Sequence, residues 1–432
     1  MSGSSPDVRS KSWFDVTRVA TDPRPELDFV AEADVCVIGA GVAGLHVALE
    51  IARKGWSVVV LEARTIGAGA SGCNTGLVHD GYDCPVEKLE AAVGLSRSKA
   101  LWKLSRDGAR AVRDLIDSTR MPGVGVEWGG LQVTRLADPV AFRNRTERMT
   151  SVYGATGLFW NVDRLRGVLK SPLYTAGIFD STAFSLHPLN YCLGVANQAL
   201  KAGARIYEHS QALAIDLSSI RRSVATAKGA VRCDHVVIAG SALLAPFFPM
   251  VSRTLSPVTV AAAVTEPLGD RLESVMLDRH CVWEHRHVPA QFRVVGGDRL
   301  LWSGEPRIGV HRAADHEAAL RASMTSAFPA LAGVGFDHVW TGVNAHTRRA
   351  MPQVGQIAPA VWVSVGFGRQ GINTAAVCGL MIARAIVEKN ETVRLFEPFL
   401  SRKPFGSIAR LRQRFDLWRS ARRDRADERA AR

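Results

Sequence analysis

Near its C-terminus the sequence places one arginine among glycines, in the stretch GFGRQG at residues 366–371. Glycine allows tight turns and close approach of the backbone to a ligand, and arginine carries a permanent positive charge. The apolar run VWVSV before this stretch predicts a strand, and INTAAVCGLMIARAIV after it predicts a helix. We therefore expect Arg369 to lie beside a helix N-terminus, where another molecule comes close.

A second chemically distinctive motif lies in the stretch ADVCVIGAGVAGLHVALEIARKGWSVVVLEAR. Gly39, Gly41 and Gly44 form the pattern GxGxxG where the strand DVCVI should turn into a helix. That helix should end at Gly55, and the next strand, SVVVLE, ends at Glu62, whose carboxylate suits the ribose of NAD or FAD better than that of NADP. The order of these parts predicts a dinucleotide at the helix N-terminus rather than a purely structural glycine turn.

The loop that follows narrows the choice of dinucleotide. Residues 65–81, TIGAGASGCNTGLVHDG, are rich in small residues, which suits a second close approach of the backbone to a ligand. An ordinary NAD enzyme would continue directly with further strand–helix units. The sequence therefore favours FAD.

Length and composition bound the elements that position these motifs. A chain of 432 residues with 47% hydrophobic and 22% charged residues predicts two intergrown globular domains. The chain shows neither the apolar run of a signal peptide nor a run of about 18 apolar residues that could cross a bilayer. The seven cysteines form no CxxC pair, which argues against zinc, iron–sulfur and disulfide sites and predicts a cytoplasmic protein without a metal.

The positive charge of the chain is concentrated in its last residues. Residues 402–432 contribute +7 of the formal net charge of +13. They could form a helix with an apolar face that comprises Ile408, Leu411, Phe415 and Trp418. Such a helix could bind nucleic acid or acidic lipid, or it could dock on its own protein with a solvated end.

The motifs of the chain, taken in order, resemble those of the D-amino-acid-oxidase superfamily of FAD enzymes, in particular its γ-glutamylputrescine oxidoreductase-like branch. The resemblance covers nearly the whole chain and rests on SWFDVT, the GxGxxG unit, GAGASGCNTG, WGGLQV, HPLNYCLGVANQALKAGARIYE, HVVIAG, VTEPL, LLWSGE, AMPQVG, GFGRQGIN and FEPFLSRKPFG. The stretch GFGRQG itself is more similar to the corresponding stretch of glycine oxidases. The resemblance implies an α/β fold in which a Rossmann-type FAD-binding domain is intergrown with an antiparallel-sheet substrate domain.

The resemblance also implies where the chain passes between the two domains. Residues 1–32 would form an N-terminal extension, and residues 393–432 a basic C-terminal tail. The FAD-binding domain would gather residues 33–90, 186–245 and 340–392. The substrate domain would gather residues 91–185 and 246–339.

Family roles carried onto matching positions give a set of residues expected to bind FAD without a covalent bond. The set comprises Gly39, Gly41, Val42, Ala43, Gly44, Glu62, Ala63, Arg64, Ala70, Ser71, Gly72, Asn74, Thr75, Gly76, Ala212, Ala239, Gly240, Gly366, Gly368, Arg369, Gln370, Gly371, Ile372 and Asn373. A covalent link to the flavin through Cys73 or His79 is the alternative, since both lie in the loop expected to pass the cofactor.

Arg369 has two possible roles, because it could contact substrate or flavin, or it could be a structural arginine paired with backbone. In amino-acid-oxidising relatives an arginine after the WxG strand holds the substrate carboxylate, but this chain has Val343 or Asn344 there. A simple α-amino acid would therefore need Arg369, Arg293 or Arg286 in that role.

The expected reaction oxidises the C–N bond of a small amine or amino acid, and a hydride equivalent moves from the carbon next to nitrogen to flavin N5. Arg369, Gln370 and His285 are the candidate catalytic residues. Further candidate bases share one property, an imidazole in a segment expected near the substrate: His79, His280, His287 and His346. No lysine occurs between Lys228 and Lys389, so an oxidase with a lysine from these strands is excluded, and the electron acceptor is O2 or another molecule. The alternatives are a flavoenzyme for a tRNA-borne amine and a non-catalytic flavoprotein subunit; no nucleic-acid-binding module is visible.

Overall fold

The computed structural model describes residues 11–136, 139–217, 221–240, 248–286, 288–309, 311–401, 411, 415, 419 and 422–424. The strands run in chain order as β1 (Val30–Ile38), β2 (Val58–Leu61), β3 (Leu77–Val78), β4 (Glu127–Thr134), β5 (Leu158–Trp160), β6 (Ala176–Ser185), β7 (Arg205–Tyr207), β8 (Ala214–Asp216), β9 (Arg222–Ala225), β10 (Ala230–Ile238), β11 (Ser256–Thr265), β12 (Cys281–Glu284), β13 (Gln291–Val295), β14 (Arg299–Ile308), β15 (Phe336–His346), β16 (Gln353–Ala358) and β17 (Val361–Val365). The α-helices are α1 (Trp13–Val16), α2 (Val42–Arg53), α3 (Ala70–Cys73), α4 (Val86–Thr119), α5 (Val140–Tyr153), α6 (Val162–Val168), α7 (Pro188–Lys201), α8 (Pro249–Ser252), α9 (Ala314–Ala327) and α10 (Ile372–Val387). Short 3₁₀ helices span Gly269–Ser274, Pro329–Leu331 and Glu391–Phe399.

The first sheet has a parallel core. Its strand order is β16-β17-β10-β1-β2-β7, and the neighbours from β17 to β7 run parallel. All four residues of β2 are buried, as expected for a central strand with both faces covered. On β1, Val35 and Val37 pack in one apolar cluster with the helices, while Cys36 and Ile38 belong to a second cluster on the opposite face. The predicted Rossmann-type sheet is therefore present.

The second sheet is predominantly antiparallel. Its order is β15-β11-β14-β13-β12-β4-β6-β3, with β5 beside β6, and β12 and β4 are a parallel pair. The stretches LSPVTVAAAVTEPL and RLLWSGE, whose apolar and polar residues alternate, form β11 and β14, and these strands pair antiparallel. A separate apolar cluster, which includes Phe292, Trp302 and Phe328, packs against this sheet.

Two predicted domain boundaries fall inside regular elements. A boundary at residue 340 would divide β15, which pairs with β11 from one end to the other. A boundary at residue 90 would divide α4, which packs against α10 beside the parallel sheet. The division of the chain into two domains stays a prediction.

Two expectations from the sequence concern the C-terminal helix and the lack of a membrane-spanning segment. Most of the predicted C-terminal helix, including Ile408 and Trp418, lies outside the described residues; Leu411 and Phe415 are described and are exposed. In the part of the chain that the structure describes, no helix combines the length and apolar character required to cross a membrane.

Candidate active site

Two adjoining cavities lie where the two sheets meet. The larger cavity has a volume of about 610 Å³ and the smaller about 490 Å³. Five residues line both and define what we call the junction: His79, Pro289, Gln291, Arg369 and Gln370. A molecule in one cavity can therefore meet a molecule in the other at this place.

The larger cavity lies at the carboxyl ends of the parallel strands, as is usual for ligand sites in open α/β sheets. Ile38, Leu61, Ala239 and Val365, which end or follow four of these strands, line it. Of the residues predicted to bind FAD, those that line the larger cavity are Gly39, Gly41, Val42, Ala43, Glu62, Ala63, Arg64, Ala70, Ser71, Asn74, Thr75, Ala212, Ala239, Gly240, Gly366, Gly368, Arg369, Gln370, Gly371, Ile372 and Asn373. The residues predicted from distant segments of the sequence therefore line one cavity in the structure.

Three predicted residues do not line the larger cavity, because they face protein backbone. A Cβ added at Gly44 would lie 2.0 Å from the carbonyl oxygen of Gly39, at Gly72 2.4 Å from that of Gly67, and at Gly76 1.9 Å from that of Leu186. These glycines permit close packing behind the cavity wall. Gly39 itself has a φ of +108°, a conformation that side chains disfavour, so its place in the turn requires glycine.

The walls of the larger cavity fit a dinucleotide such as FAD. The N-terminus of α2 faces it at Gly41, and a Cβ added there would lie 2.8 Å from Oγ of Ser71. Glu62 accepts hydrogen bonds from the backbone N–H groups of Ala40 at 2.8 Å and Arg64 at 3.0 Å. Each carboxylate oxygen has a further lone pair, which leaves room for a ribose hydroxyl.

Arg369 is held by a buried carboxylate. Its Nε donates to Oδ1 of Asp83 at 2.8 Å, and Nδ1 of His346 lies 3.1 Å from Oδ2 of the same carboxylate. Burial alone would raise the pKa of Asp83, but the charges of Arg369 and His346 outweigh it and hold that pKa well below its usual range. A Cβ added at Gly368 would lie 2.4 Å from Oδ2 of Asp83, so the glycine before Arg369 makes room for this carboxylate.

A neutral histidine occupies the junction beside Arg369. The ring of His79 stacks on Trp283, with centroids 4.5 Å apart and planes 11° apart. Burial lowers the pKa of His79 to about 4, although a hydrogen bond to the carbonyl of Asp80 opposes this shift. The amide nitrogen of Gln370 lies 2.5 Å from Nε2 of His79, and the opposite amide oxygen, Oε1, is buried without a hydrogen-bond partner among the described residues.

The other predicted histidines are divided among different places. His285 lines the smaller cavity only and packs on the ring of Phe142, with centroids 5.1 Å apart. His280 lines neither cavity, and its Nδ1 lies 3.2 Å from the carbonyl oxygen of Trp128. His346 contacts Asp83 from outside both cavities, and His287 lies outside the described residues.

The arginines considered for a substrate carboxylate also differ in position. Arg293 is buried behind the larger cavity, where it donates to the carbonyl oxygens of Thr75 at 2.7 Å and Leu186 at 2.8 Å. Arg286 lines the smaller cavity and forms ion pairs with Glu284 at 3.5 Å and Asp424 at 3.3 Å. Neither arginine therefore offers an uncompensated charge at the junction.

Several residues of the site were missed by the sequence analysis. They line the smaller cavity or the junction: Asp80, Asp83, Trp102, Asp180, Trp283 and Gln291. The segment HDGYDC, residues 79–84, begins inside the small-residue loop and was a usable signal, since two carboxylates beside a predicted ligand loop indicate a candidate functional site.

Asn344, one of the two residues in place of the family's carboxylate-binding arginine, lines the larger cavity. Cys73 also lines it, and its Sγ lies 3.2 Å from the carbonyl oxygen of Gly69. In the described part of the chain no lysine lines either cavity, and no group of three or more His, Cys, Asp or Glu side chains could hold a metal ion.

Comparison with known proteins agrees with this geometry. The family described as "DAO: FAD dependent oxidoreductase" matches residues 34–385. The chain is 30% identical over 380 residues to the gamma-glutamylputrescine oxidoreductase of Escherichia coli strain K12, which covers 87% of this chain and 89% of the relative. It is 29% identical over 386 residues to the probable oxidoreductase OrdL of Haemophilus influenzae, covering 86% of this chain and 87% of that protein.

Solved structures support the same fold. Glycine oxidase from Geobacillus kaustophilus superposes with a TM-score of 0.69 at 20% identity, over 84% of this chain and 96% of that chain. By its folds, its larger cavity and the extent of the family match, this chain belongs to the DAO family of FAD-dependent oxidoreductases.

Proposed function

We propose that this enzyme oxidises the C–N bond of a small amine to an imine, which water then hydrolyses. FAD bound in the larger cavity would supply the acceptor for the hydride equivalent that leaves the carbon next to nitrogen. The smaller cavity would hold the substrate, with its reacting nitrogen at the junction. The E. coli relative supports this proposal, because its name refers to the oxidation of an amine.

The observation that carries the proposal is the chemistry of the junction. An amine must be uncharged before hydride departure, because the nitrogen lone pair drives that step. At the junction Arg369 is paired with Asp83, and His79, with its pKa lowered to about 4, is neutral at physiological pH, so neither side chain favours an ammonium ion there. The buried Oε1 of Gln370 lacks a donor among the described residues, and an amine N–H is a suitable donor.

Roles for the candidate catalytic residues follow from their places. Arg369 and Gln370 line both cavities, so we assign them contact with substrate or cofactor. His285 lines only the smaller cavity, so we assign it to the far part of the substrate rather than to the reacting nitrogen. The imine would leave the junction and be hydrolysed by water. The reduced cofactor would pass its electrons to O2 or to another acceptor.

The test is anaerobic reduction of the flavin by a panel of amines, followed as loss of the flavin absorption band. Primary and secondary alkylamines should bleach the band, while alcohols of equal chain length should not. The same amines with oxygen present would separate an oxidase, which returns to the oxidised spectrum, from a dehydrogenase. Bleaching by the alcohols and by none of the amines would refute the proposal.

A further inference from the structure

The C-terminal part of the chain places one carboxylate in the smaller cavity. Asp424 lines this cavity and is only 4% exposed, whereas its neighbours Arg422 and Arg423 are exposed. Aspartate is almost never fully buried unless it is paired, so the contacts of Asp424 show why it lies there.

The Asp424 carboxylate is bound by the connection between β12 and β13. Its Oδ2 accepts a hydrogen bond from the backbone N–H of Val288 at 3.0 Å and lies 3.3 Å from Nε of Arg286. An N–H group and a guanidinium that meet at one oxygen suit a carboxylate, and we call this place the Arg286–Val288 position. The chain therefore fills a carboxylate-binding position of the smaller cavity with its own side chain.

The charge balance around Arg286 depends on Asp424. Glu284, the second carboxylate beside Arg286, lies with its Oε2 3.5 Å from Nη1 of that arginine. Its other oxygen, Oε1, accepts hydrogen bonds from Nε of Arg135 at 3.0 Å and from the Tyr174 hydroxyl at 2.8 Å. Because Glu284 also neutralises Arg135, Asp424 supplies the carboxylate that matches the charge of Arg286.

The Arg286–Val288 position lies close to the junction along the chain. Val288 directly precedes Pro289, and Gln291 follows two residues after that; Pro289 and Gln291 both line the junction. From Val288 to Gln291 the chain spans at most about 11 Å, even when it is fully extended. The distal group of a short amine with its nitrogen at the junction can therefore reach the Arg286–Val288 position.

We propose that Asp424 determines substrate specificity: it occupies the Arg286–Val288 position and thereby excludes amines whose distal group is a carboxylate. Such a substrate would have to displace Asp424 or lie beside it, and two carboxylates at one guanidinium repel each other. Amines with an uncharged distal group escape this competition. This inference rests on the proposed amine oxidation and adds a specificity-determining residue to it.

The same contacts predict what substitution of Asp424 does. Asp424→Ala removes an acceptor from both Arg286 and Val288 and opens the space of the side chain, so a substrate carboxylate can take its place. Asp424→Asn keeps the volume and an oxygen that can accept from Val288. Affinity for amines with a distal carboxylate should therefore rise from wild type to Asp424→Asn and further to Asp424→Ala.

The test compares amines that differ only in the distal group. Each straight-chain amino acid from 3-aminopropanoate to 6-aminohexanoate is paired with its carboxamide, which has nearly the same shape but no charge. Apparent dissociation constants come from the dependence of anaerobic flavin reduction on amine concentration. The wild type should bind the best carboxamide about tenfold or more tightly than its carboxylate, and Asp424→Ala should reduce this preference about tenfold to a hundredfold. A wild type that prefers the carboxylates, or an unchanged preference in Asp424→Ala at every chain length, would overturn the inference.

Two further variants assign the effect to the Arg286–Val288 position. Asp234→Ala is the matched control, because Asp234 also pairs with an arginine, Arg221 at 3.2 Å, but lines neither cavity; its preference should equal that of the wild type. In the double variant Asp424→Ala/Arg286→Gln the gained affinity for carboxylates should be lost, and in Asp424→Ala that gain should shrink as salt rises. Flavin content and thermal unfolding show whether each variant is folded. A gain that survives the loss of the Arg286 guanidinium would refute the assignment.

A binding experiment separates failure of this inference from failure of the proposed function. Straight-chain alkanoates from propanoate to hexanoate carry a carboxylate but no nitrogen, so they can bind but cannot be oxidised as amines. Their binding to the FAD-loaded protein, measured by isothermal titration calorimetry, should be about tenfold or more tighter in Asp424→Ala than in the wild type. If no amine bleaches the flavin but the alkanoates bind as described, the proposed reaction is wrong and the role of Asp424 stands. If amines bleach the flavin and the alkanoates bind both proteins alike, the reverse holds.

Discussion

Replacement of Asp83 by asparagine tests how the site holds its arginine. Asp83 is buried, with 5% of its side chain exposed, and contacts the Arg369 Nε at 2.8 Å and the His346 Nδ1 at 3.1 Å. Asparagine keeps the shape but removes the charge, and its NH2 group would face one of the two donors. Loss of one partner of a fully buried pair costs about 3–5 kcal/mol. Because 31% of the Arg369 side chain is exposed, we expect a smaller loss of about 1.5–3 kcal/mol.

The assay for Asp83→Asn is urea unfolding of the FAD-loaded protein as a function of pH. The folded state lowers the pKa of Asp83, so the carboxylate stabilises the protein above its unfolded pKa of about 4, and this stability is lost as pH falls further. The difference between wild type and variant should therefore be present at pH 7 and shrink as pH falls below about 4. Equal free energies of unfolding at pH 7, or a difference that grows in acid, would refute this account of Arg369.

Further variants test the roles proposed for the larger and the smaller cavity. Gly41→Val should prevent FAD binding, since even a Cβ would lie 2.8 Å from Ser71 Oγ, and FAD released from the wild type by acid precipitation would show that it is bound without a covalent link. Arg369→Ala should keep FAD but slow anaerobic flavin reduction about tenfold to a hundredfold. Arg369→Lys should recover only part of the rate, because lysine lacks the planar fork of the guanidinium group. A wild-type rate of reduction in Arg369→Ala would mean that the arginine is structural. Asp424→Ala should change the apparent dissociation constant of the amine more than the limiting reduction rate, because Asp424 contacts Arg286 and the Val288 N–H at the smaller cavity, and an effect confined to the limiting rate would contradict this.

The residues that line the larger cavity could largely be predicted from the sequence, because their sequence signals are local. The GxGxxG unit, Glu62 and the small-residue loop fall within residues 39–81, and each carries a backbone requirement that shows in residue type. The strand–turn–helix around Arg369 was equally visible, because its periodicity changes at the glycines. Neither prediction required knowledge of how distant segments meet.

The smaller cavity could not be predicted in the same way, because its contacts join distant parts of the chain. The partner of Arg369 lies 286 residues earlier, at Asp83. The ring that stacks on His79 belongs to Trp283, in a segment where the sequence indicated only histidines as candidate bases. Ordinary side chains acquire their roles there only when α4, β4, β6 and β12 assemble, and no spacing rule in one sequence encodes that assembly.

The pairing of β1 with β10 has a consequence during protein synthesis. Val30 pairs with Ala230, and β17, on the far side of β10, ends only at Val365. At a synthesis rate of about 5–20 residues per second, the ribosome needs roughly 10–40 s to produce the partner of β1 after β1 itself. For that time one edge of an apolar strand has no neighbour in the sheet, and such edges are prone to intermolecular pairing. The nascent chain is thus exposed to aggregation long before FAD can bind, and early chaperone contact would have its greatest effect in this interval.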